Sequence, residues 1–289
     1  MKIAVTGCYG QLGTALQEVA AADGVHQWHF TDIDTLDICN PNAVERFFDA
    51  NGIDVCINCA AYTAVDKAED EPALATRINV EAPRILANCC CNHHATLIHI
   101  STDYVFDGTG TRPYREDDCT APQSVYGLTK RDGETAIRQS GCDYIIVRTA
   151  WLYSSTGKNF VKTMLNLGET RPEINVVNDQ KGCPTWAHDL AVALMALIDK
   201  NGKAPIHETF HFTNEGQITW YEFALAIMEL GGRQCKVNPI TTDQYPTKAK
   251  RPAYSVLDLH KIKTFTGMEI PFWRDSLMKC IEEIIKKQE

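Results

Sequence analysis

Two side chains suited to proton transfer stand four residues apart in the run Tyr126-Gly127-Leu128-Thr129-Lys130. On a helix, positions i and i+4 share one face, so the phenol and the ammonium would face the same space. An ammonium there lowers the pKa of a phenol from its usual value of ~10 by favouring the phenolate. It can also bind a ribose, while the phenol serves as general acid for a carbonyl that accepts a hydride. Tyr-x-x-x-Lys is common by chance, so the elements around it must support this interpretation.

A second polar run, Ser101-Thr102-Asp103-Tyr104, follows a predicted strand. A Thr102 hydroxyl at the carboxyl end of that strand would face the ligand crevice and hydrogen-bond a substrate oxygen. Asp103 and Tyr104 are candidate substrate-binding residues in the same run. The alternative is an ordinary strand-end turn, where Ser, Thr and Asp are favoured.

A glycine-rich turn, Gly7-Cys8-Tyr9-Gly10-Gln11-Leu12-Gly13, directly follows the first predicted strand. Such a turn lets the backbone approach a pyrophosphate and directs free helix N–H groups at it. The spacing is G-x-x-G-x-x-G rather than the G-x-G-x-x-G of the standard dinucleotide motif. A tight turn with no ligand is the alternative, but the position after an N-terminal strand favours dinucleotide binding.

A carboxylate for the adenosine ribose is expected ~20 residues beyond the last glycine. Asp32 stands 19 residues after Gly13, although a solvated or capping role remains open. Ile33 and Asp34 follow it, so this segment has no arginine for a 2′-phosphate. The pattern favours NADH, or loose discrimination between NADH and NADPH.

The elements that must position these residues alternate between strand and helix. Five strands joined by helices predict a parallel, doubly wound, Rossmann-type α/β sheet, with ligands at the carboxyl ends of its strands. The expected strands are 2–6, 27–31, 54–58, 97–101 and 144–148, and the expected helices are 12–22, 42–51, 72–91 and 125–140.

Beyond residue 150 the alternation loosens, with helices expected at 160–167, 187–199, 221–230 and 276–287 and short strands at 174–177 and 209–212. A length of 289 residues favours about two domains. We therefore expect a dinucleotide-binding domain over 1–150. A smaller substrate-binding lobe would follow over 151–289, partly interleaved with the first sheet.

The composition excludes several classes of partner. A net charge of -9, spread along the chain, disfavours nucleic acid, which needs a basic face. No apolar run reaches the ~18 residues of a membrane span, and the N-terminus does not resemble a signal peptide. We therefore expect a cytoplasmic protein that has no membrane partner.

The twelve cysteines are expected to be reduced thiols packed as small apolar groups. Cys56 and Cys59 form a C-x-x-C, but it lies in an apolar strand pattern and no second ligand pair has suitable spacing. The histidines, including His93 and His94, have the pattern of surface or helix-end residues. No metal site is expected.

Several motifs together resemble the extended short-chain dehydrogenases and, more specifically, the dTDP-4-dehydrorhamnose reductase family. They run through nearly the whole chain in the family's order, and AAYTAVDKAE with STDYVFDG is the most specific combination. The motifs are GCYGQLG (7–13), LDI (36–38), NCAAYTAVDKAE (58–69), STDYVFDG (101–108), YGLTK (126–130), RTAWLY (148–153), NDQKGCPT (178–185) and RPAYSVLD (251–258).

This resemblance implies reduction of the 4-keto group of dTDP-4-dehydro-L-rhamnose by NADPH or NADH, which gives dTDP-L-rhamnose for cell-surface polysaccharide. Tyr126 would donate the proton, Lys130 would support it and bind ribose, and Thr102 would orient the keto oxygen. Trp151 would pack on the deoxysugar, unless it is only a core aromatic. Asn159 and Arg251 are candidates for the nucleotide side. The implied cofactor-lining residues are Gly10, Gln11, Leu12, Gly13, Asp32, Asp37, Ile38, Ala60, Ala61 and Tyr62.

One departure from the family concerns assembly. Some members have a glutamate on the first helix that contributes to a metal-bridged dimer, and this chain has Thr14-Ala15 there. The resemblance therefore implies a monomer or a weak homodimer.

Three other functions fit the sequence less well. A sugar-nucleotide dehydratase needs an Asp-Glu pair after the fourth-strand threonine, whereas Thr102 is followed by Asp103 and Tyr104. Epimerases of the superfamily are usually longer and need room for the keto sugar to rotate. A non-catalytic NAD(P)-binding regulatory subunit has no need of the complete set Thr102, Tyr126 and Lys130.

Overall fold

The computed structural model describes residues 1–287. Its strands are β1 (Lys2–Thr6), β2 (Gln27–Thr31), β3 (Val55–Asn58), β4 (Thr96–Thr102), β5 (Asp143–Thr149), β6 (Leu152–Tyr153), β7 (Glu173–Val177), β8 (Lys181–Gly182), β9 (Thr185–Trp186), β10 (His207–His211), β11 (Ile218–Thr219) and β12 (Lys236–Ile240). Its α-helices are α1 (Gln11–Ala22), α2 (Pro41–Asn51), α3 (Val65–Ala68), α4 (Pro72–Thr76), α5 (Ala82–His93), α6 (Val125–Gln139), α7 (Phe160–Thr170), α8 (Ala187–Asn201), α9 (Trp220–Leu230), α10 (His260–Thr266) and α11 (Trp273–Lys286). A π-helical turn, Arg77–Glu81, joins α4 to α5.

The main sheet has six parallel strands in the order β10-β5-β4-β3-β1-β2. Its central strands are apolar runs, such as Ile3, Ala4 and Val5 in β1, because both faces of a parallel sheet are covered. From β1 the chain adds β2 on one side and then β3, β4 and β5 on the other. This reversal of strand order between β1 and β3 places a crevice at their carboxyl ends. The expected doubly wound α/β fold is confirmed.

Helices cover both faces of this sheet. Side chains of α1, α8 and α10 form one core with the sheet, and those of α2 and α5 form the other. Both α8 and β10 lie beyond residue 150 yet pack with the first five strands. The division into 1–150 and 151–289 remains a prediction, and its last two residues, Gln288 and Glu289, lie outside the described range.

A smaller lobe has its own apolar core, formed by α7, α9 and α11 with the parallel pair β7 and β12. Phe223, Leu277 and Val161 are fully buried in this core. The lobe joins the sheet through the segment after β5, where Trp151 and Tyr153 enter the same core. This connection brings lobe residues to the carboxyl ends of the sheet strands.

The described helices include none that combines the length and apolar character of a membrane span. All twelve cysteines are free thiols, and most are buried.

Candidate active site

A cavity of about 490 Å³ lies at the carboxyl ends of the central strands. Many of the residues singled out from the sequence line it, namely Gly7, Gly10, Gln11, Leu12, Gly13, Ala61, Thr102, Asp103, Tyr104, Tyr126, Lys130 and Trp151. The other candidates surround this lining without belonging to it, namely Asp32, Asp37, Ile38, Ala60, Tyr62, Asn159 and Arg251. The fold therefore gathers residues from distant parts of the chain into one crevice.

A larger groove of about 1050 Å³ lies beside the edge strand β10. Its cations already have carboxylate partners, including Arg138 with Glu134 and Lys261 with Glu208. None of the predicted catalytic residues lines it. The smaller cavity is the better candidate because it contains Tyr126, the predicted proton donor, and the glycine turn.

The glycine turn presents the start of α1 to the cavity. Gly10 is the N-cap, no side chain caps the helix, and its first turn has no acidic residue. A Cβ at Gly7 or at Gly13 would collide with backbone atoms, so the turn closes this tightly only with glycine there. The free N–H groups and the positive end of the helix dipole suit a pyrophosphate.

Two side chains predicted to contact ligands also brace this turn. The Asp32 carboxylate accepts the backbone N–H of Tyr9 at 2.9 Å. Asn159 caps α7, and its Nδ2 donates to Gln11 Oε1 at 2.8 Å. Asn159 thus lies behind the cavity wall and acts on it through Gln11.

The remaining cofactor candidates lie in the segments that follow β2 and β3, outside the cavity lining. Ile38 is buried, whereas Asp37 is partly exposed and lies 3.9 Å from a guanidinium nitrogen of Arg77. The Ala60 N–H donates to Asn58, and the Tyr62 N–H donates to Asn79. Sequence spacing missed Arg77, because this cation comes from the π-helical turn rather than from the segment after β2.

Tyr126 sits in the first turn of α6. Ser124 caps this helix by accepting the Gly127 N–H at 3.1 Å. A Cβ at Gly127 would collide with the Tyr104 carbonyl, so only glycine lets α6 pack so closely on the segment after β4. The Tyr126 ring then meets the Tyr104 ring edge to face, with centroids 5.5 Å apart.

Burial raises the pKa of Tyr126 well above its usual value, although hydrogen bonding with Thr102 partly opposes this. The pKa of Tyr126 in the free protein is therefore raised, whereas the neighbouring Lys130 had predicted a lowered one. Desolvation disfavours the phenolate more strongly than any neighbour stabilises it. As a result Tyr126 keeps its proton at neutral pH, which a general acid requires.

Lys130 is buried one helical turn beyond Tyr126. Its Nζ donates to the Ile100 carbonyl oxygen at 2.6 Å and lies 3.3 Å from His99 Nε2. Burial lowers the pKa of Lys130 to about 8, and the charge of Glu134 opposes that shift. The ammonium is thus tethered to β4 beside the cavity that it lines.

Glu134, a further turn along α6, anchors the catalytic helix to the sheet. It accepts hydrogen bonds from Ser101 Oγ at 2.6 Å and from Arg148 Nε and Nη2, both at 2.8 Å. Glu134 and Arg148 are both buried, so each charge needs the other. Sequence reasoning missed this pair, although an arginine inside the apolar strand β5 signals a buried partner.

Thr102 and Asp103 form the polar wall facing Tyr126. The Thr102 hydroxyl donates to Asp103 Oδ1 at 2.9 Å and accepts the Tyr104 N–H at 3.2 Å. Asp103 Oδ2 is buried with no hydrogen-bond partner, and burial raises the pKa of Asp103 to about 6. Asp103 lines the cavity, although its Oδ2 atom is itself buried.

Trp151 lines the cavity in a strained backbone conformation, with φ at +49°. Non-glycine residues rarely adopt this region, and they persist there where the surroundings impose it, often at functional sites. Its indole stacks on Trp220, with ring centroids 3.6 Å apart and planes 13° apart. Trp151 thus both packs in the lobe core and faces the cavity. Sequence reasoning missed Trp220.

Arg251 connects the C-terminal part of the chain to the cavity mouth. It donates to Asp66 Oδ2 at 2.6 Å and to the Tyr104 hydroxyl at 3.3 Å. The guanidinium is partly exposed, so it remains open to a ligand beside Tyr104.

Known proteins of one family match the chain over nearly its whole length. The family model for the RmlD substrate binding domain matches residues 1–286. A dTDP-4-dehydrorhamnose reductase of Sinorhizobium fredii is 40% identical, over 97% of each chain. A crystal structure of a dTDP-4-dehydrorhamnose reductase from Clostridium acetobutylicum is 45% identical, with a TM-score of 0.93 over 98% of this chain and 99% of that one.

A dTDP-4-dehydrorhamnose reductase from Bacillus anthracis, solved in complex with NADP, is 36% identical with a TM-score of 0.91, over 98% of this chain and 99% of that one. These matches extend over both the sheet and the smaller lobe. The chain belongs to the RmlD substrate binding domain family, that of the dTDP-4-dehydrorhamnose reductases, which confirms the resemblance inferred from its motifs.

Proposed function

We propose that the chain reduces the 4-keto group of dTDP-4-dehydro-L-rhamnose to give dTDP-L-rhamnose, with NADPH or NADH as the hydride source. The observation that carries this proposal is the meeting of Tyr126, Thr102 and the glycine turn in one cavity. The names of the relatives support the substrate, since this chain matches them over nearly their whole length. The product feeds cell-surface polysaccharide.

The proton chemistry belongs to Tyr126. The bound reduced nicotinamide supplies a hydride to the 4-keto carbon. The Tyr126 hydroxyl donates its proton to the keto oxygen, which Thr102 holds in line by a hydrogen bond. Burial keeps that phenol protonated until the carbonyl oxygen gains negative charge. Lys130 stabilises the phenolate that results, and it binds the ribose of the cofactor.

The cofactor would be an NAD(P) dinucleotide, and the first turn of α1 would hold its pyrophosphate. The uncapped start of α1 and the glycine turn fit this group. Asp32 favours a free ribose hydroxyl, while Arg77 offers a cation on the same side of the fold. Both NADH and NADPH therefore remain substrates in this proposal, and the Bacillus anthracis relative binds NADP.

The sugar nucleotide occupies the side of the cavity nearer the lobe. Trp151 presents an aromatic face to the methyl-bearing pyranose. Asp103 and Tyr104 contact the sugar hydroxyls, and Arg251 lies at the mouth where the nucleotide would pass. Asn159 contributes by holding Gln11.

The alternative functions fit this cavity less well. A dehydratase would need a second carboxylate where Tyr104 stands, and this cavity presents a phenol there. A non-catalytic binding subunit would not need a protonated phenol beside Thr102. We further propose a cytoplasmic enzyme that works as a monomer or weak homodimer.

The test is an assay on the purified chain with dTDP-4-dehydro-L-rhamnose and either NADH or NADPH. We expect stoichiometric loss of the absorbance of the reduced nicotinamide and formation of dTDP-L-rhamnose. Thr102→Val keeps the shape of the side chain and removes only the hydroxyl, so it is the matched variant that tests the hydrogen bond to the keto oxygen. Tight cofactor binding with no oxidation of either cofactor would instead favour the regulatory subunit.

A further inference from the structure

Four side chains with metal-ligand chemistry meet on the outer side of the fold, where α2 packs against α5. Glu45 and Asp49 stand four residues apart on α2, and Cys89 and His93 stand four residues apart on α5. Because positions i and i+4 share a helix face, each helix presents one pair of ligands to the other. None of the four lines the active-site cavity.

The atoms of this cluster are already close together. The ligand atoms of Glu45, Cys89 and His93 all lie within 4.8 Å of one another. His93 Nε2 is 2.9 Å from Glu45 Oε1 and 3.8 Å from Asp49 Oδ1. Around tetrahedral zinc, bonds of ~2.0–2.3 Å place ligand atoms about 3.3–3.7 Å apart. Small side-chain rotations of Glu45, Cys89 and His93 would reach that geometry, and the exposed Asp49 side chain would turn inward to complete it.

The surroundings hold these side chains towards one centre. The His93 ring packs on the buried Phe48 ring, with centroids 5.6 Å apart, so its Nε2 faces α2. Cys89 is nearly fully buried, Glu45 is partly exposed and Asp49 is exposed, so the two carboxylates leave a path from solvent. Within residues 1–287, the only ion-pair partner of either carboxylate is His93, so no Lys or Arg competes for them.

We propose that Glu45, Asp49, Cys89 and His93 form a zinc site that clamps α2 to α5. Thiolate, imidazole and carboxylate are the ligands that zinc takes, and the mixture of sulfur with nitrogen disfavours magnesium or calcium. On binding, Zn²⁺ takes the Cys89 sulfur as thiolate, and the thiol proton passes to solvent. All four positions are filled by protein, so the site is structural rather than catalytic.

Cobalt(II) titration of the metal-free full-length protein tests this site, because a cobalt–thiolate bond gives a distinct charge-transfer absorption. We expect one cobalt per chain with that absorption, displaced by zinc. Cys89→Ser should abolish the absorption. His93→Gln should weaken cobalt binding by at least the ~10–100-fold that loss of a supporting contact costs. Cys119→Ser, which removes an exposed cysteine elsewhere, should bind cobalt as the unmodified protein does.

Thermal unfolding gives a second measurement, since an ion that binds only the folded chain raises Tm. Zinc should raise Tm of the unmodified protein and of Cys119→Ser, but not of His93→Gln. Cobalt absorption that persists in Cys89→Ser, or the absence of saturable cobalt and zinc binding, would overturn the proposal. If Cys89→Ser does not fold, the partly exposed Glu45→Gln and His93→Gln variants decide the question. Retention of zinc stabilisation in both would also overturn it.

Discussion

The Nε2 atom of His99 lies 3.3 Å from the Nζ atom of Lys130. Asn58 determines which nitrogen of His99 carries the proton. Its Oδ1 accepts the Ala60 N–H, so its Nδ2 faces His99 Nδ1 at 3.0 Å and donates to it. Burial and the nearby Lys130 charge hold the pKa of His99 well below its usual value, so the imidazole is neutral and carries its proton on Nε2. That N–H points at Lys130, where a neutral amine accepts it and an ammonium does not.

Lys130 should therefore titrate within the range of an ordinary pH profile. Burial lowers its pKa to about 8, Glu134 and Cys59 act in the opposite direction, and the pKa of Tyr126 lies far higher. Below pH 8 the ammonium is present and binds ribose; above it the ammonium is lost. We expect kcat/KM for the reduced cofactor, which reports the free enzyme, to fall as pH rises through about 8. A profile that stays flat a full unit above that value would contradict this assignment.

Replacing His99 by glutamine should move this alkaline limb to higher pH. A carboxamide can turn its oxygen to Lys130 and accept a hydrogen bond from the ammonium, which the Nε2–H of His99 cannot do. Stabilising the charged form raises the pKa of Lys130. The measurement is the pH dependence of kcat/KM in His99→Gln, with His260→Gln as the control for the same exchange at an exposed histidine outside the cavity. A limb that stays in place would show that His99 does not influence Lys130, and a limb that moves to lower pH would show that His99 stabilises the ammonium, contrary to this assignment.

Trp151 permits a separation of ring contact from backbone strain. Both Trp151→Ala and Trp151→Gly remove the indole, but only glycine adopts a φ of +49° at no steric cost. We expect both variants to raise KM for the sugar nucleotide more than they change cofactor binding. In thermal or denaturant unfolding, Trp151→Gly should be more stable than Trp151→Ala by about 1 kcal/mol. If the variants lose only cofactor affinity and keep KM for the sugar nucleotide, the ring does not contact the sugar and serves only the core.

Local patterns predicted which short segments meet at the cavity. The glycine turn and the Tyr126–Lys130 pair are short segments whose geometry follows from one strand–helix unit, and both line the cavity as expected. Helix and strand limits also fell within a few residues, for example 125–140 against Val125–Gln139. These features depend on neighbours in sequence, which is why spacing reveals them.

Features that join distant segments were not predicted. Trp220 stacks on Trp151, and Arg77 approaches Asp37, only because the fold brings separate elements together. The cluster on α2 and α5 was missed for the same reason, since each helix contributes only half of the ligands. The pKa of Tyr126 was misjudged because burial, which depends on the whole fold, outweighs the single nearby charge considered.

We expect cofactor choice to depend on Asp32, which lies beside the glycine turn. We expect NADH to be accepted at least comparably to NADPH, because a carboxylate there suits a free ribose hydroxyl. Arg77→Ala should lower kcat/KM for NADPH and leave that for NADH unchanged, since only a 2′-phosphate uses the cation. Steady-state rates with both cofactors provide the check. A preference for NADPH above about a hundredfold, or ~2.8 kcal/mol, would contradict the role of Asp32.

The proposed mechanism assigns different work to Tyr126 and Lys130, which lie one helical turn apart on α6. Tyr126→Phe keeps the buried ring and its edge-to-face contact with Tyr104 but removes the proton. Cofactor binding should stay nearly unchanged, while hydride transfer should fall by roughly 10²–10⁴, the usual contribution of a positioned acid. Lys130→Met should lower hydride transfer and also weaken cofactor binding, because the ribose loses its contact with the ammonium.

Two measurements on each variant separate these roles, namely the cofactor dissociation constant and the single-turnover rate of hydride transfer. Single turnover is needed because product release would conceal a loss in the chemical step. If Tyr126→Phe retains more than about a tenth of the unmodified rate, the phenol is not the acid. Asp103, which lines the cavity, would then become the alternative donor, because burial raises the pKa of Asp103 to about 6 and so leaves part of it protonated near neutral pH. Asp103→Asn would in that case remove the remaining activity, whereas with Tyr126 as the acid it should leave most of the proton transfer intact.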